Sequence, residues 1–154
     1  MEQIKKCNPI IILPKSLNGP NTKVGIRTSP IHGHGIFSNA EISEGELIED
    51  AKLLKLSYRS KIFQDSVLVN YVWVNGSCNC EQCQKEGQEQ YLALGYGSIY
   101  NHSKNPNTNV KLDFETETIK IYSTRIIEKD EEIFVSYGPK YWLIRDFWKK
   151  TIGE

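Results

Sequence analysis

The sequence predicts a single, mainly β domain with short helices. Two observations support this fold class: short segments alternate apolar and polar residues between turn-forming residues, and long stretches of helical periodicity are scarce. A chain of 154 residues has the usual length of one domain. With 39% apolar and 25% charged residues, its composition falls in the range of soluble globular proteins rather than disordered chains.

The predicted strands follow from period-two alternation. Residues 23–28 and 46–56 are the first two predicted strands, each next to glycine or proline turn signals. In the second half of the chain, apolar residues at 110, 112, 114, 119 and 121 flank the polar segment 115–118, which predicts a hairpin with one buried face. A last short strand is predicted over 132–137.

Helices are predicted at two places, 63–73 and 141–150, the second with apolar residues close to helical spacing. The polar segment of about 76–90 has no clear period and is interpreted as an inserted loop. The chain is therefore divided into an N-terminal extension at 1–22, a domain at 23–142 and a short helical tail at 143–154.

Charge and hydropathy limit the classes of function. The 19 basic residues balance the 19 acidic ones, which argues against a generic nucleic-acid binder. Acidic stretches at 41–50 and 128–132 are interpreted either as sites that attract a basic peptide or as solvated turns. The apolar run at 10–13 is too short for a signal peptide or a membrane span, so we expect an intracellular protein with reduced cysteines.

Three segments contain the highest density of residues that can bind a ligand or take part in catalysis. The first contains Gly33 and Gly35, whose missing side chains let backbone approach a ligand closely, but it lacks the third glycine of a dinucleotide-binding loop. The second contains Asn101 and His102, followed by a serine and then by a proline and an asparagine. The third is a predicted strand that ends in Tyr137 and a glycine.

In this order, the three segments resemble the motifs of the SET-domain protein-lysine methyltransferases. The likeness covers roughly residues 23–142 and is greatest to the small free-standing SET proteins of viruses and bacteria. It implies the SET (β-clip) fold, several small sheets with a threaded, knot-like C-terminal segment. It also implies transfer of a methyl group from S-adenosylmethionine to a lysine ε-amine.

The resemblance assigns roles to individual residues. Tyr137 matches the catalytic tyrosine of the family, and Tyr71 matches a tyrosine that lines its lysine channel. Without the resemblance, a tyrosine in such a pattern would more often be interpreted as a core residue. Tyr91, Tyr96 and Tyr100 are further channel or core candidates. The residues that the resemblance implies for cofactor binding are Gly33, His34, Gly35, Ile36, Phe37, Asn101, His102, Tyr137 and Trp142, the last equally interpretable as a packing residue.

The implied substrate is a lysine on a histone tail or another basic protein, with no direct role for nucleic acid or membrane. The small viral relatives act as homodimers, so a homodimer is expected here, with the segment 10–13 as a candidate interface strand. The alternative function is a SET-fold module that binds a peptide without turnover. The intact Asn101, His102 and Tyr137 favour the enzyme.

The cysteines depart from the family pattern. Lys104 stands where many SET enzymes have a zinc-binding cysteine, and no cysteine follows Cys83. Instead, Cys78, Cys80 and Cys83 lie close together in the sequence of the predicted inserted loop, at a spacing that allows three thiolates to bind one zinc ion. A structural zinc site needs four ligands, which Cys7 or a second subunit could complete. The alternative is three thiols in a polar loop.

Overall fold

The computed structural model describes residues 19–56, 67–86, 88–138 and 141–142. The predicted N-terminal extension up to residue 18, the segment 10–13, Cys7 and the tail at 143–154 lie outside these ranges, as does most of the predicted terminal helix. The strands are β1 Gly19–Pro20, β2 Val24–Thr28, β3 His34–Ser38, β4 Leu47–Lys55, β5 Val72–Val74, β6 Gln90–Ala93, β7 Asn101–His102, β8 Thr108–Asp113, β9 Thr118–Ser123 and β10 Glu132–Val135. A 3₁₀ turn, Leu68–Tyr71, precedes β5, and one short helix, α1 Glu81–Glu86, precedes β6.

The strands form two small sheets. One has the order β5-β6-β4-β9-β8, with β1 paired to β4, and the other has the order β2-β3-β10-β7. All pairs are antiparallel except β7 with β10, which are parallel. The mainly β class is therefore confirmed, whereas the knot-like passage of the C-terminal segment remains a prediction.

One hydrophobic core holds the sheets together. β4 passes through its centre, and Ile48 and Leu53 have no exposed surface. Residues from β3, β9 and β10 meet them, because inward-facing side chains of neighbouring strands pack together. The fully buried aliphatic residues of this core are Ile36, Ile42, Ile48, Leu53, Ile119, Ile121, Ile127, Ile133 and Val135.

The hairpin of β8 and β9 confirms the prediction made from alternation, with a turn at residues 114–117. The predicted strand at 46–56 is β4. The last predicted strand is shorter than expected, since β10 ends at Val135, two residues before Tyr137. The backbone N–H of Tyr137 is instead donated to Nδ1 of His102, 3.2 Å away.

Two predictions about the middle of the chain are wrong in part. Of the helix predicted at 63–73, residues 63–66 lie outside the described ranges, and the end of that segment is extended. Trp73 belongs to β5, where it pairs with Tyr91 of β6, because β-branched and aromatic residues favour a strand. The loop predicted at 76–90 contains α1, whose two turns are too short to show helical periodicity. Within the described ranges no helix has the length and apolar character needed to span a bilayer.

Candidate active site

Strand β10 brings the three predicted motifs together. Its antiparallel register with β3 places Ile133 opposite Ile36 of the first motif. Its parallel register with β7 places Phe134 opposite Asn101 and Val135 opposite His102 of the second motif. Three segments separated by many residues in sequence thus form neighbouring strands, and the third motif is the central one.

A buried polar cluster links the motifs at this point. The Asn101 amide donates to Oε1 of Glu132 at 2.8 Å and to the carbonyl oxygens of His32 and His34 at 3.2 and 3.3 Å. Oε2 of Glu132 accepts a hydrogen bond from Ser29 at 3.0 Å. Asn101 and Glu132 are only 6% and 7% exposed, so these bonds satisfy polar groups that would otherwise be costly to bury.

The partners of Asn101 fix the orientation of its amide. All three are acceptors, so the NH₂ group must face them and the carbonyl oxygen must face away. Within the described part of the chain, that oxygen accepts no hydrogen bond. Asn101 thus offers a hydrogen-bond acceptor next to the first motif.

Gly35 is required by the same cluster. A Cβ atom at this position would lie 2.1 Å from Oε1 of Glu132 and 3.0 Å from Nδ2 of Asn101. No side chain larger than hydrogen fits without displacing the carboxylate. At Gly33 glycine is favoured by the backbone conformation, because a φ of +50° is rarely adopted by other residues. A Cβ atom at this position would have no neighbour within 4 Å.

A cavity of about 270 Å³ is lined in part by the end of the third motif, Ser136, Tyr137 and Gly138. Five aromatic side chains contribute to its wall, and aliphatic residues and small polar residues complete it. None of the lining residues in the described part of the chain is charged. The aromatic residues of the wall are Tyr71, Trp73, Tyr100, Tyr137 and Tyr141.

The two predicted catalytic residues, Tyr137 and Tyr71, both line this cavity. The Tyr137 hydroxyl donates to the carbonyl oxygen of Tyr100 at 2.8 Å, which fixes the hydroxyl and leaves acceptor lone pairs on its oxygen. Its ring packs against His102 and Tyr141, with ring centres 5.2 and 4.6 Å apart. Tyr71 ends the 3₁₀ turn and is 39% exposed.

The other tyrosine candidates divide between cavity and core. Tyr100 lines the cavity, while Tyr91 is a core residue with 1% exposure and Tyr96 is partly buried against the core. Trp142 is 47% exposed and meets the edge of His102 at 5.4 Å. Tyr141, its neighbour, lines the cavity.

The remaining cofactor candidates occupy two environments. Gly33 and His34 are exposed just before and at the start of β3, beside the Asn101 amide. Ile36 is fully buried in the core, and the guanidinium of Arg27 lies over the ring of Phe37 at 5.6 Å. His102 uses Nδ1 of its imidazole as acceptor for Tyr137, so a neutral ring carries its proton on Nε2.

The buried carboxyl group of Glu49 lies close to the hydroxyl group of Tyr100. Glu49 has no exposed surface, and one of its oxygens accepts the backbone N–H of Tyr96 at 2.7 Å. Burial raises the pKa of Glu49 above its ordinary value. Burial and the facing Glu49 raise the pKa of the Tyr100 hydroxyl as well, although the described residues show no well-formed hydrogen bond between the two groups.

The acidic stretches are largely engaged within the molecule. Glu46 pairs with Lys23 at 2.9 Å, and Asp130 pairs with Arg27 at 2.7 Å. Glu131 pairs with Arg125, and that hydrogen bond lowers the pKa of Glu131. These pairs support solvated turns for part of each stretch, but Glu49, Asp50 and Glu132 are buried in strands, so that interpretation is wrong for them.

The structure brings Cys78, Cys80 and Cys83 together, as the spacing predicts: their sulfur atoms all lie within 4.8 Å of one another. Cys78 and Cys80 precede α1 and Cys83 lies within it. No histidine, aspartate or glutamate of the described residues joins this cluster. Cys7, the candidate fourth ligand, is outside the described ranges.

Two residues of the site were not anticipated from the sequence. Glu132 was counted in an acidic stretch and predicted to begin the last strand, but its role as the buried partner of Asn101 was not predicted. Trp73 was placed in a helix, yet it donates its indole N–H to the Gly97 carbonyl at 3.1 Å and lines the cavity. The position of Glu132 at the start of the third motif could have indicated its role. No feature of the local sequence indicated the role of Trp73.

Comparison with known proteins agrees with this geometry. The model of the SET domain family matches residues 33–138. A histone-lysine N-methyltransferase of Schizosaccharomyces pombe, specific for H3 lysine-37, is 33% identical over 121 residues, covering 76% of this chain and 74% of its own. A Plasmodium falciparum protein assigned as a histone methyltransferase shares 28% identity with a TM-score of 0.58, covering 79% of this chain and 98% of its own. A Cryptosporidium SET8 protein, at 18% identity and a TM-score of 0.54 over 75% of this chain and 57% of its own, shares the fold.

The fold, the ordered motifs and these comparisons define a protein-lysine methyltransferase, as the sequence predicted. The chain belongs to the SET domain family.

Proposed function

We propose that the chain transfers a methyl group from S-adenosylmethionine to the ε-amine of a lysine on a histone tail or a similar basic protein segment. The observation that carries this proposal is the aromatic cavity lined by both Tyr137 and Tyr71, in which none of the described lining residues is charged. Tyr137 follows strand β10, which pairs with Asn101 and His102. The names of the S. pombe and P. falciparum relatives support a histone substrate.

The residues beside the first motif suit the proposed cofactor. The outward carbonyl oxygen of Asn101 can accept a hydrogen bond from an α-ammonium group. Gly33 and His34 are exposed beside this oxygen, and nothing lies within 4 Å of the position where a Gly33 side chain would begin. When bound, S-adenosylmethionine supplies a methyl group on a positively charged sulfur. The proposed cofactor residues are those predicted from the sequence: Gly33, His34, Gly35, Ile36, Phe37, Asn101, His102, Tyr137 and Trp142, with the buried side chain of Ile36 acting only through the position of β3.

The cavity suits a lysine side chain that arrives without its proton. A free lysine amine has a pKa of about 10.4 and is charged at neutral pH. The described walls consist of aromatic, aliphatic and small polar groups with no carboxylate among them, and such surroundings disfavour the ammonium form and so lower the pKa of an amine placed there. A separate general base is then unnecessary, because water at the cavity mouth can take the proton.

Tyr137 is proposed to orient the amine. Because its hydroxyl proton is donated to the Tyr100 carbonyl, its oxygen presents lone pairs to an incoming N–H group. The rings of Tyr137 and Tyr71 can also stabilise positive charge that builds on the nitrogen. Correct placement is the main requirement of such a displacement reaction.

The proposal is tested by methyl transfer to a panel of core histones, with mass spectrometry of the products, alongside thermal shift with S-adenosylmethionine. Tyr137→Phe should lower transfer at least 100-fold, while its melting temperature changes little. Tyr122→Phe is the matched control, because Tyr122 lies on β9 outside the cavity and packs under Lys111. Folded wild-type protein that neither responds to the cofactor nor methylates any histone would refute the proposal, and full activity of Tyr137→Phe would refute the role of Tyr137.

A further inference from the structure

The cysteine cluster lies outside the site that the methyl transfer uses, and its geometry points to a ligand. The Sγ atoms of Cys78 and Cys80 are 3.5 Å apart, and all three sulfur atoms lie within 4.8 Å. Cys78 and Cys80 are not bonded to each other, since a disulfide bond measures about 2.05 Å. Tetrahedral zinc with Zn–S bonds of about 2.3 Å requires sulfur atoms about 3.8 Å apart. The separation of Cys78 and Cys80, 3.5 Å, is close to this value, and the other two separations are at most 4.8 Å.

The surroundings of the sulfur atoms also suit a cation. The backbone N–H of Cys83 is directed at Sγ of Cys80, 3.4 Å away, as expected for a group that stabilises a thiolate. Sγ of Cys80 is thus flanked by this N–H group and by Sγ of Cys78 at 3.5 Å, with Sγ of Cys83 within 4.8 Å of both. Three such close thiolates repel one another unless a positive charge lies between them.

We propose that Cys78, Cys80 and Cys83 bind one zinc ion through their thiolates. Soft sulfur ligands in a tetrahedral arrangement favour zinc over magnesium, calcium or manganese. Glu89 does not provide the fourth ligand, because its carboxylate is held by Lys55, Asn75 and Tyr91. Among the described residues only these three cysteines form the cluster, and water would take the fourth position.

The zinc ion would act as a structural brace for one wall of the cavity. The chain runs from β5, with Trp73 and Val74 at the cavity, through Gly76 to the first cysteine only two residues later. Asn75 donates its backbone N–H to the Glu89 carbonyl at 2.9 Å, and Gln88 donates to the Gly76 carbonyl at 3.2 Å. These bonds and the six-residue α1 are among the contacts that hold the segment, and a metal ion bound by three of its residues would restrict it further.

The test is the metal content of the full, untagged chain, expressed with added zinc and purified without chelators. We expect one zinc ion per chain by elemental analysis, and loss of zinc to background in Cys80→Ser and in Cys83→Ser. Ser77→Ala is the matched control, because its exposed side chain lies beside the cluster without contributing a sulfur atom. Removal of zinc by a strong chelator should lower the melting temperature, and added Zn²⁺ should restore it.

A second measurement keeps the test decisive if the cysteine variants fail to fold. Replacement of the metal by Co²⁺ in the wild-type chain should produce thiolate-to-cobalt charge-transfer absorption and intense tetrahedral d–d bands. Zinc-free wild-type protein together with no cobalt spectrum would overturn the proposal. So would an intact mass two hydrogens lower in fresh protein, which would show a disulfide. None of these readouts depends on methyl transfer, so this proposal can fail independently of the proposed function.

Discussion

The substitution Gly35→Ala tests the packing of the linked motifs most directly. The added Cβ would lie 2.1 Å from Oε1 of Glu132. Ordinary contact between carbon and oxygen is about 3.3 Å or more, so one of the two atoms must move by more than about 1 Å. The Glu132 side chain cannot move aside easily, because it is 7% exposed and accepts hydrogen bonds from Asn101 at 2.8 Å and from Ser29 at 3.0 Å.

The expected cost follows from those two hydrogen bonds. Each buried polar group left without its partner costs about 1–3 kcal/mol, so displacing Glu132 should destabilise the fold by about 3 kcal/mol. Since domains are stable by only about 5–15 kcal/mol, the loss should be easy to measure. It corresponds to a fall of about 6–12 °C in melting temperature for a chain of this size.

The assay is urea unfolding followed by tryptophan fluorescence. Gly25→Ala is the matched control on the neighbouring strand β2: its Cβ would meet only the end of the exposed Asn39 side chain, at 3.2 Å, and should cost under about 1 kcal/mol. In a Glu132→Ala background, Gly35→Ala should also cost under about 1 kcal/mol, since the obstructing carboxylate is gone. An unchanged cost in that background, or a negligible cost in the wild type, would refute the reasoning.

Two further predictions concern pH. Burial raises the native pKa of Glu49, so the stability that this group contributes is complete at low pH and is lost as pH rises through its native pKa. Glu49→Gln keeps an acceptor for the Tyr96 N–H and should flatten the fall in urea midpoint that the wild type shows as pH rises above the ordinary glutamate pKa. For Glu131 the sign is opposite: Arg125 lowers its pKa, so this contribution is present above the ordinary glutamate pKa and is lost as pH falls. Arg125→Met should cost no more than about 1 kcal/mol at pH 7, because the pair is partly exposed, and its deficit should shrink toward pH 3; a deficit independent of pH would contradict this.

The elements found correctly from the sequence were those with a clear period and a buried face. The hairpin of β8 and β9 is an example, because Ile119 and Ile121 are fully buried and pair with Leu112 and Val110, whereas Lys111 and Asp113 on the other face are exposed. Strand β3 was missed as a strand: its histidine and glycine suggested a loop, and only pairing with both β2 and β10 makes it extended. Pairing with neighbouring strands therefore determined the extended conformation of β3, because the local sequence has only a weak preference for it.

The site was predicted as a set of residues rather than as a geometry. Family resemblance identified Tyr137 and Tyr71, and the structure places both on one cavity although 66 positions separate them. It could not identify Glu132 as the partner of Asn101, because that contact depends on the register of β10 against two strands from elsewhere in the chain. Nor could it place Trp73, whose role depends on a hydrogen bond to the Gly97 carbonyl.

The cluster around Asn101 explains why the three motifs occur together. Its amide satisfies carbonyl groups of the first motif and the carboxylate of the third, so each motif leaves buried polar groups unpaired unless the other two are in place. The same amide fixes the outward oxygen that is proposed to meet the cofactor. Folding of the site and cofactor binding therefore depend on one set of contacts, and a ligand that binds only this arrangement must stabilise the whole domain. For this reason a substitution such as Gly35→Ala should weaken S-adenosylmethionine binding and stability together, whereas Tyr137→Phe should separate catalysis from both.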